Sequence, residues 1–240
     1  MEIKICHIYP DVLNLYGDRG NVICMEKRLQ WRGIETSVTK LPMGECRSLA
    51  DYDIIFIGGG QGCEEQLLDD LHRGKDREII SALEDGKCFL TICGGFQLMG
   101  SYSENLKGER FGLLGAVDFY SREGRERMTG DFKFRCTESS GGSVAVGFEN
   151  HSARTYLGKG IEPLGTVISG HGNNGEDGTE GVRYKNLFGS YSHGPLLPKN
   201  PELCDFILLT ALKRKYGSAE LAPLDDRAEQ SAHDYMCGRL

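Results

Sequence analysis

An α/β fold, with a mostly parallel central sheet flanked by helices, is predicted by three features of the 240-residue sequence. Short apolar runs alternate with segments of helical spacing through the first half. Two of those runs, around Ile54–Ile57 and Cys88–Ile92, are apolar throughout and read as strands buried on both faces. Both end at glycines, and ligands in open α/β sheets bind beyond the carboxyl ends of strands.

Taken in order, Ile3–Ile8 predicts a first strand. Asn21–Trp31 spaces Val22, Met25 and Leu29 as a helix and stops before Gly33. Glu35–Lys40 reads as a second strand and Asp53–Ile57 as a third, stopping at Gly58-Gly59-Gly60. Helices are expected near Glu64–Leu71 and Asp76–Glu84. Cys88–Ile92 is a strand that runs into Cys93-Gly94-Gly95 and a helix from Phe96. The second half predicts short strands at Leu113–Phe119, Val144–Phe148, Val182–Tyr184 and Gly189–Ser192. They are separated by Gly-rich loops, Ser169–Gly181 being an exposed one. Pro201–Tyr216 reads as a last helix. Residues 1–217 form one domain on this reading, and 218–240 a weakly patterned tail, an arm or a partly disordered segment.

Composition narrows the function. Hydrophobic residues make up 39%, enough for a core, and 28 basic against 35 acidic residues give a net charge of -7. That balance speaks against a nucleic-acid binder with a basic face. No apolar run reaches the roughly 18 residues of a membrane span, so direct membrane insertion is not expected. Nine cysteines with no C-x-x-C, and a start without a signal-peptide core, point to a reducing cytoplasm. There is no P-loop, no metal-binding helix motif and no G-x-G-x-x-G, since Gly58–Gly62 reads GGGQG. No metal or cofactor is therefore expected, and ATP chemistry would fall to another chain.

Cys93 is the candidate nucleophile. A buried strand, a nucleophile, glycines and then a helix make an elbow that exposes a reactive atom. A helix N-terminus favours the thiolate, and the next backbone N–H groups point to where an oxyanion would form. The other eight cysteines, Cys63 among them, read as small buried hydrophobes. Of the histidines, His193 follows a short strand where the chain must turn, which makes it the candidate base, with His151 second. His7 reads as structural, His171 as a loop residue, and His72 and His233 as solvated.

TICGGFQ (Thr91–Gln97), IFIGGG (Ile55–Gly60) and YSHGP (Tyr191–Pro195) together resemble the class I glutamine amidotransferases, and within them the cobyric-acid-synthase-like branch. LNLYGDRGN (Leu13–Asn21), DFYSREGRERMTGD (Asp118–Asp131), GFENHSARTY (Gly147–Tyr156), HGNNGEDGTEG (His171–Gly181) and YKNLFGSYSHGPLLPKNPE (Tyr184–Glu202) extend the likeness over most of the chain. They point to the glutaminase subunits of lipid II isoglutaminyl synthases. The resemblance implies a nucleophile elbow at Cys93 with His193 as general base. It implies oxyanion donors at Gly59 or Gly60 and at Gly94, a crevice lined by Gln97, and a grip by Arg127 on bound L-glutamine. Asn150 and His151 would line the same crevice. Without the family, Arg127 is one more member of a charge run with Arg122 and Arg125. A partner is implied too: an ATP-dependent, Mur-ligase-like synthetase subunit that takes the ammonia and amidates D-glutamate of the lipid II stem peptide.

Two other functions fit the same residues. One is amidation of cobyrinate or another small acid; the other is a non-catalytic regulatory subunit of the same fold. One departure stands out. Class I enzymes carry an acid two residues after the histidine, and here that position is Pro195. With no carboxylate within three residues of His193, the third catalytic group is expected from the partner chain. The alternative is a distant acid of this chain such as Glu149.

Overall fold

The computed structural model describes residues 1–60 and 64–240. Cys63 and the end of the Gly58–Gly62 segment lie outside the described residues. β1 (Glu2–Ile8) sits inside a sheet, hydrogen-bonded in parallel to a strand on either side. α1 (Arg19–Gln30) buries Val22, Met25 and Leu29, a stripe at helical spacing. β2 (Glu35–Leu41) is the edge strand, and its polar, half-exposed residues suit an edge. β3 (Ile54–Ile57) is buried at every residue. α2 (Glu64–Asp70) is followed by a wide turn, Leu71–Lys75, in which Gly74 takes φ +111°. α3 (Asp76–Glu84) returns the chain to β4 (Cys88–Ile92), also buried throughout, and α4 (Gly94–Leu98) is a short turn of helix.

The next stretch differs from the sequence reading. β5 (Tyr102–Glu104) and β6 (Arg110–Gly112) precede two long antiparallel strands, β7 (Phe119–Cys136) and β8 (Val144–Leu157). With β9 (Gly165–Ser169) and β10 (Thr179–Glu180) they build a second, mostly antiparallel sheet. Phe119, Met128, Phe132 and Phe134 mark the buried face of β7, but a bulge and a run of charges break the alternation that would have announced a strand. Leu113–Val117 forms no strand. Its backbone bonds instead to the chain just after α4, Leu113 N to Ser101 O and Val117 N to Met99 O.

β11 (Val182–Tyr184) and β12 (Leu187–Ser190) rejoin the first sheet, whose order is β11-β12-β4-β3-β1-β2. Only β11 runs antiparallel in it, so the central sheet is mixed but mostly parallel, as expected. α5 (Pro201–Tyr216) packs on α1 and buries Leu203, Ile207, Leu208 and Leu212. The tail is not an unstructured arm: α6 (Arg227–Arg239) closes the chain. Arg28, buried on α1, pairs with Asp205 of α5 at 2.7 Å and with Asp226, at the start of α6, at 2.6 Å. His233, expected in solvent, is buried, and its Nδ1 lies 2.9 Å from the Lys199 carbonyl. Not every cysteine is buried either: Cys46 is exposed, and Cys24 and Cys237 are half-buried.

Candidate active site

Four adjacent strands, β12, β4, β3 and β1, each deliver one part of a site beyond their carboxyl ends. β4 delivers Cys93 in a conformation that L-residues rarely adopt, φ +48° and ψ -106°. Such backbone strain costs about 1–3 kcal/mol and persists only where the surroundings fix it. Here Cys93 N donates to Ser190 O at 2.8 Å, and Cys93 O accepts from Gln97 N at 2.8 Å. The elbow holds, but α4 has five residues, so a helix dipole offers the thiol little.

β12 delivers His193, whose backbone is clamped by the second sheet: His193 N donates to Phe148 O at 2.8 Å. Its Nδ1 lies 3.3 Å from Asp18 Oδ1, with both side chains buried. Asp18 comes from the loop between β1 and α1, 175 residues away. The acid beside the histidine in this chain is thus a distant one, as in the alternative expected above, but it is not Glu149, whose carboxylate instead accepts from His171 N at 2.8 Å and Gly172 N at 2.9 Å. Burial works against charge on His193. The bond to Asp18 and the adjacent Cys93 outweigh it, and its pKa is raised to about 9. His151, the second candidate base, is engaged elsewhere: its Nδ1 pairs with Ala153 O at 2.7 Å and its ring stacks on Tyr191.

β3 delivers the glycines. A Cβ at Gly59 would stand 2.6 Å from His193 Cε1, 2.9 Å from Asp18 Oδ2 and 3.3 Å from Cys93 Cβ, so no side chain fits among the three. Gly59 is not free to bind an oxyanion, because its N–H donates to Asp18 Oδ2 at 2.8 Å. Its role is to fix the acid. Among the described residues, Gly60 N and Gly94 N hold no hydrogen bond. The two glycines also abut, a Cβ at Gly94 falling 2.6 Å from Gly60 O.

Cys93 opens into a crevice of about 530 Å³ whose walls include Gly60, Gln97, Arg127 and His151. Gln97 donates to the Tyr191 hydroxyl at 3.0 Å. Arg127 Nε donates to Asn150 Oδ1, and Asn150 Nδ2 in turn donates to the Tyr16 hydroxyl at 2.6 Å. Tyr16, at φ +56°, lays its ring edgewise on His193 with centroids 4.8 Å apart. The predicted residues thus converge, with Gly59 in a different part. Sequence reasoning missed Asp18 and Tyr16. Both lie in LNLYGDRGN, a stretch that carries the family likeness, but only the strand order shows that this loop meets Cys93.

The chain is 40% identical over 238 residues to the lipid II isoglutaminyl synthase (glutamine-hydrolyzing) subunit GatD of Staphylococcus aureus, covering 99% of this chain and 96% of that one. It is 36% identical over 237 residues to the subunit of the same name from Streptococcus pneumoniae, covering 98% and 90%. A solved glutamine amidotransferase from Thermotoga maritima shares the fold, with a TM-score of 0.57 at 16% identity over 98% of this chain and 94% of that one. Residues 4–201 match the CobB/CobQ-like glutamine amidotransferase domain, a span that holds all four strand ends of the site, and the chain therefore belongs to that family of class I glutamine amidotransferases.

Proposed function

We propose that this chain is the glutaminase subunit of a two-chain synthase, releasing ammonia from L-glutamine through a cysteine thioester. The convergence of Asp18, Gly59, Cys93 and His193 on one point carries this reading. Cys93 Sγ attacks the side-chain amide carbon. The oxyanion settles between Gly60 N and Gly94 N, where one such donor is worth about 3 kcal/mol. The C–N bond breaks as the His193 imidazolium gives its proton to the departing ammonia, leaving a thioester. Water then adds to that carbonyl, passing a proton to His193, and the thiolate leaves with glutamate as product. Asp18 holds the imidazole ring and stabilises its charge throughout. Arg127 takes the substrate α-carboxylate and Gln97 lines the crevice.

The ammonia goes to a Mur-ligase-like, ATP-dependent subunit that amidates D-glutamate of the lipid II stem peptide. Two near-full-length relatives named as subunits of that synthase support this assignment over a cobyrinate amidase. No described helix is long and apolar enough to cross a membrane, so the lipid-linked acceptor is left to the partner. The test is ammonia release from L-glutamine by the chain, alone and with the ligase subunit. Cys93→Ala is expected to abolish it in both settings, while Cys88→Ala, in the strand below, retains it. Release that survives Cys93→Ala overturns the mechanism.

A further inference from the structure

The bulge of β7 places a charge on the crevice that the mechanism leaves unused. Glu123 pairs with Ala153 of β8, and the next aligned pair is Met128 with His151, so residues 124–127 face Ser152 alone. Extra residues on one strand of an antiparallel pair lift it from the ladder and re-aim its side chains. Glu123 and Arg127 stand at the two ends of this excursion, and both line the crevice that holds Cys93. Among the described residues of that wall they are the one carboxylate and the one guanidinium. Glu123 is exposed and makes no ion pair or hydrogen bond among the described residues.

We propose that Glu123 receives the α-ammonium of the amino acid whose α-carboxylate Arg127 holds. The inference rests on the glutamine reading above and sets its specificity. An α-amino acid carries opposite charges on groups that share one carbon, and a carboxylate and a guanidinium from one bulge complement that pair. A cation alone would accept any amide that bears a carboxylate. The added acid selects those that also carry an ammonium, through a charge-assisted hydrogen bond that an amine-free analogue leaves unmade.

Cys93 alkylation in the full chain tests this without requiring turnover. The electrophile 6-diazo-5-oxo-L-norleucine carries both α charges, and iodoacetamide carries neither. Glu123→Gln is expected to slow labelling by the first about tenfold, the loss typical of one hydrogen bond to a charged group, and to leave iodoacetamide labelling unchanged. In the same variant L-glutamine should protect Cys93 from iodoacetamide about tenfold less well. Glutaramate, which has the amide and the carboxylate but no ammonium, should protect variant and parent alike. Glu123→Asp, which keeps the charge, should retain part of the selectivity. Equal diazo-norleucine labelling in Glu123→Gln and the parent overturns the role of Glu123 and leaves the glutamine reading standing. A parent chain labelled by iodoacetamide but not by diazo-norleucine overturns the glutamine reading and the role of Glu123 with it.

Discussion

Asp18 does two jobs with one carboxylate. Oδ2 accepts from the Gly59 backbone and Oδ1 faces His193, so the acid is fixed before it orients the imidazole. The His193 pKa of about 9 follows from that contact and from Cys93, against burial. On the proposed mechanism, the imidazolium that protonates the leaving nitrogen is therefore present at neutral pH and is lost as pH rises through about 9. Asp18→Asn removes a raising influence, so the alkaline limb of glutamine hydrolysis should move to lower pH. The rate should fall by a factor on the order of 10²–10⁴, the range seen when a triad acid is neutralised. A pH–rate profile with an unmoved alkaline limb would separate Asp18 from the histidine. Cys93 and His193 were legible in the sequence because each sits where a short strand meets glycine. Asp18 was not, since its partner is set by which strands lie side by side, and no spacing along the chain encodes that.

Among the elements, the parallel strands were readable and the long antiparallel pair was not. β3 and β4 are apolar at nearly every position because both faces are covered. β7 mixes buried phenylalanines with a charged bulge, so only fragments of the second sheet showed a period. The C-terminal helix was hidden for a different reason. α6 buries little apolar surface and docks by polar contacts: Asp226 to Arg28, His233 to Lys199 O, and Lys133 Nζ to Cys237 O at 2.9 Å. We read 218–240 as an appendage to a domain of residues 1–217. A chain ending at Gly217 should fold with Cys93 still reactive. It should lose about 2 kcal/mol, the worth of a hydrogen bond to a charged group, because Arg28 keeps Asp205 but loses Asp226. Thermal denaturation should then show a drop of about 4–8 °C for a chain of this size. Failure of that chain to fold would make α6 part of the domain.

For the molecule as a whole, pH reaches stability through a group outside the chemistry. Glu180 is fully buried next to β12; its Oε1 accepts from Ser190 Oγ at 2.6 Å and from Tyr191 N at 2.9 Å, while Oε2 has no partner among the described residues. Burial raises its pKa to about 7, only partly offset by those bonds. The folded chain therefore holds this proton more tightly than the unfolded chain. The contribution is complete below pH 4.5 and is lost as pH rises to about 7. Over that window the loss is about 3 kcal/mol from this group. Glu180→Gln keeps a neutral acceptor for Ser190 and Tyr191 and removes the titration. Denaturant midpoints of the variant should fall less between pH 5 and pH 7.5 than those of the parent. Parallel slopes for the two would show that Glu180 is ionised in the fold.

The 175 residues that separate Asp18 from His193 also govern when the enzyme comes alive. Contacts between distant parts of a chain form late, because loop-closure entropy must be met before they are rewarded. A nascent chain that has emerged only as far as β4 carries Cys93 but not yet His193. A misfolded chain that fails to seat β12 has His193 out of place. On the proposed mechanism neither can spend glutamine, so hydrolysis begins only once β12 has joined the sheet and set His193 beside Asp18.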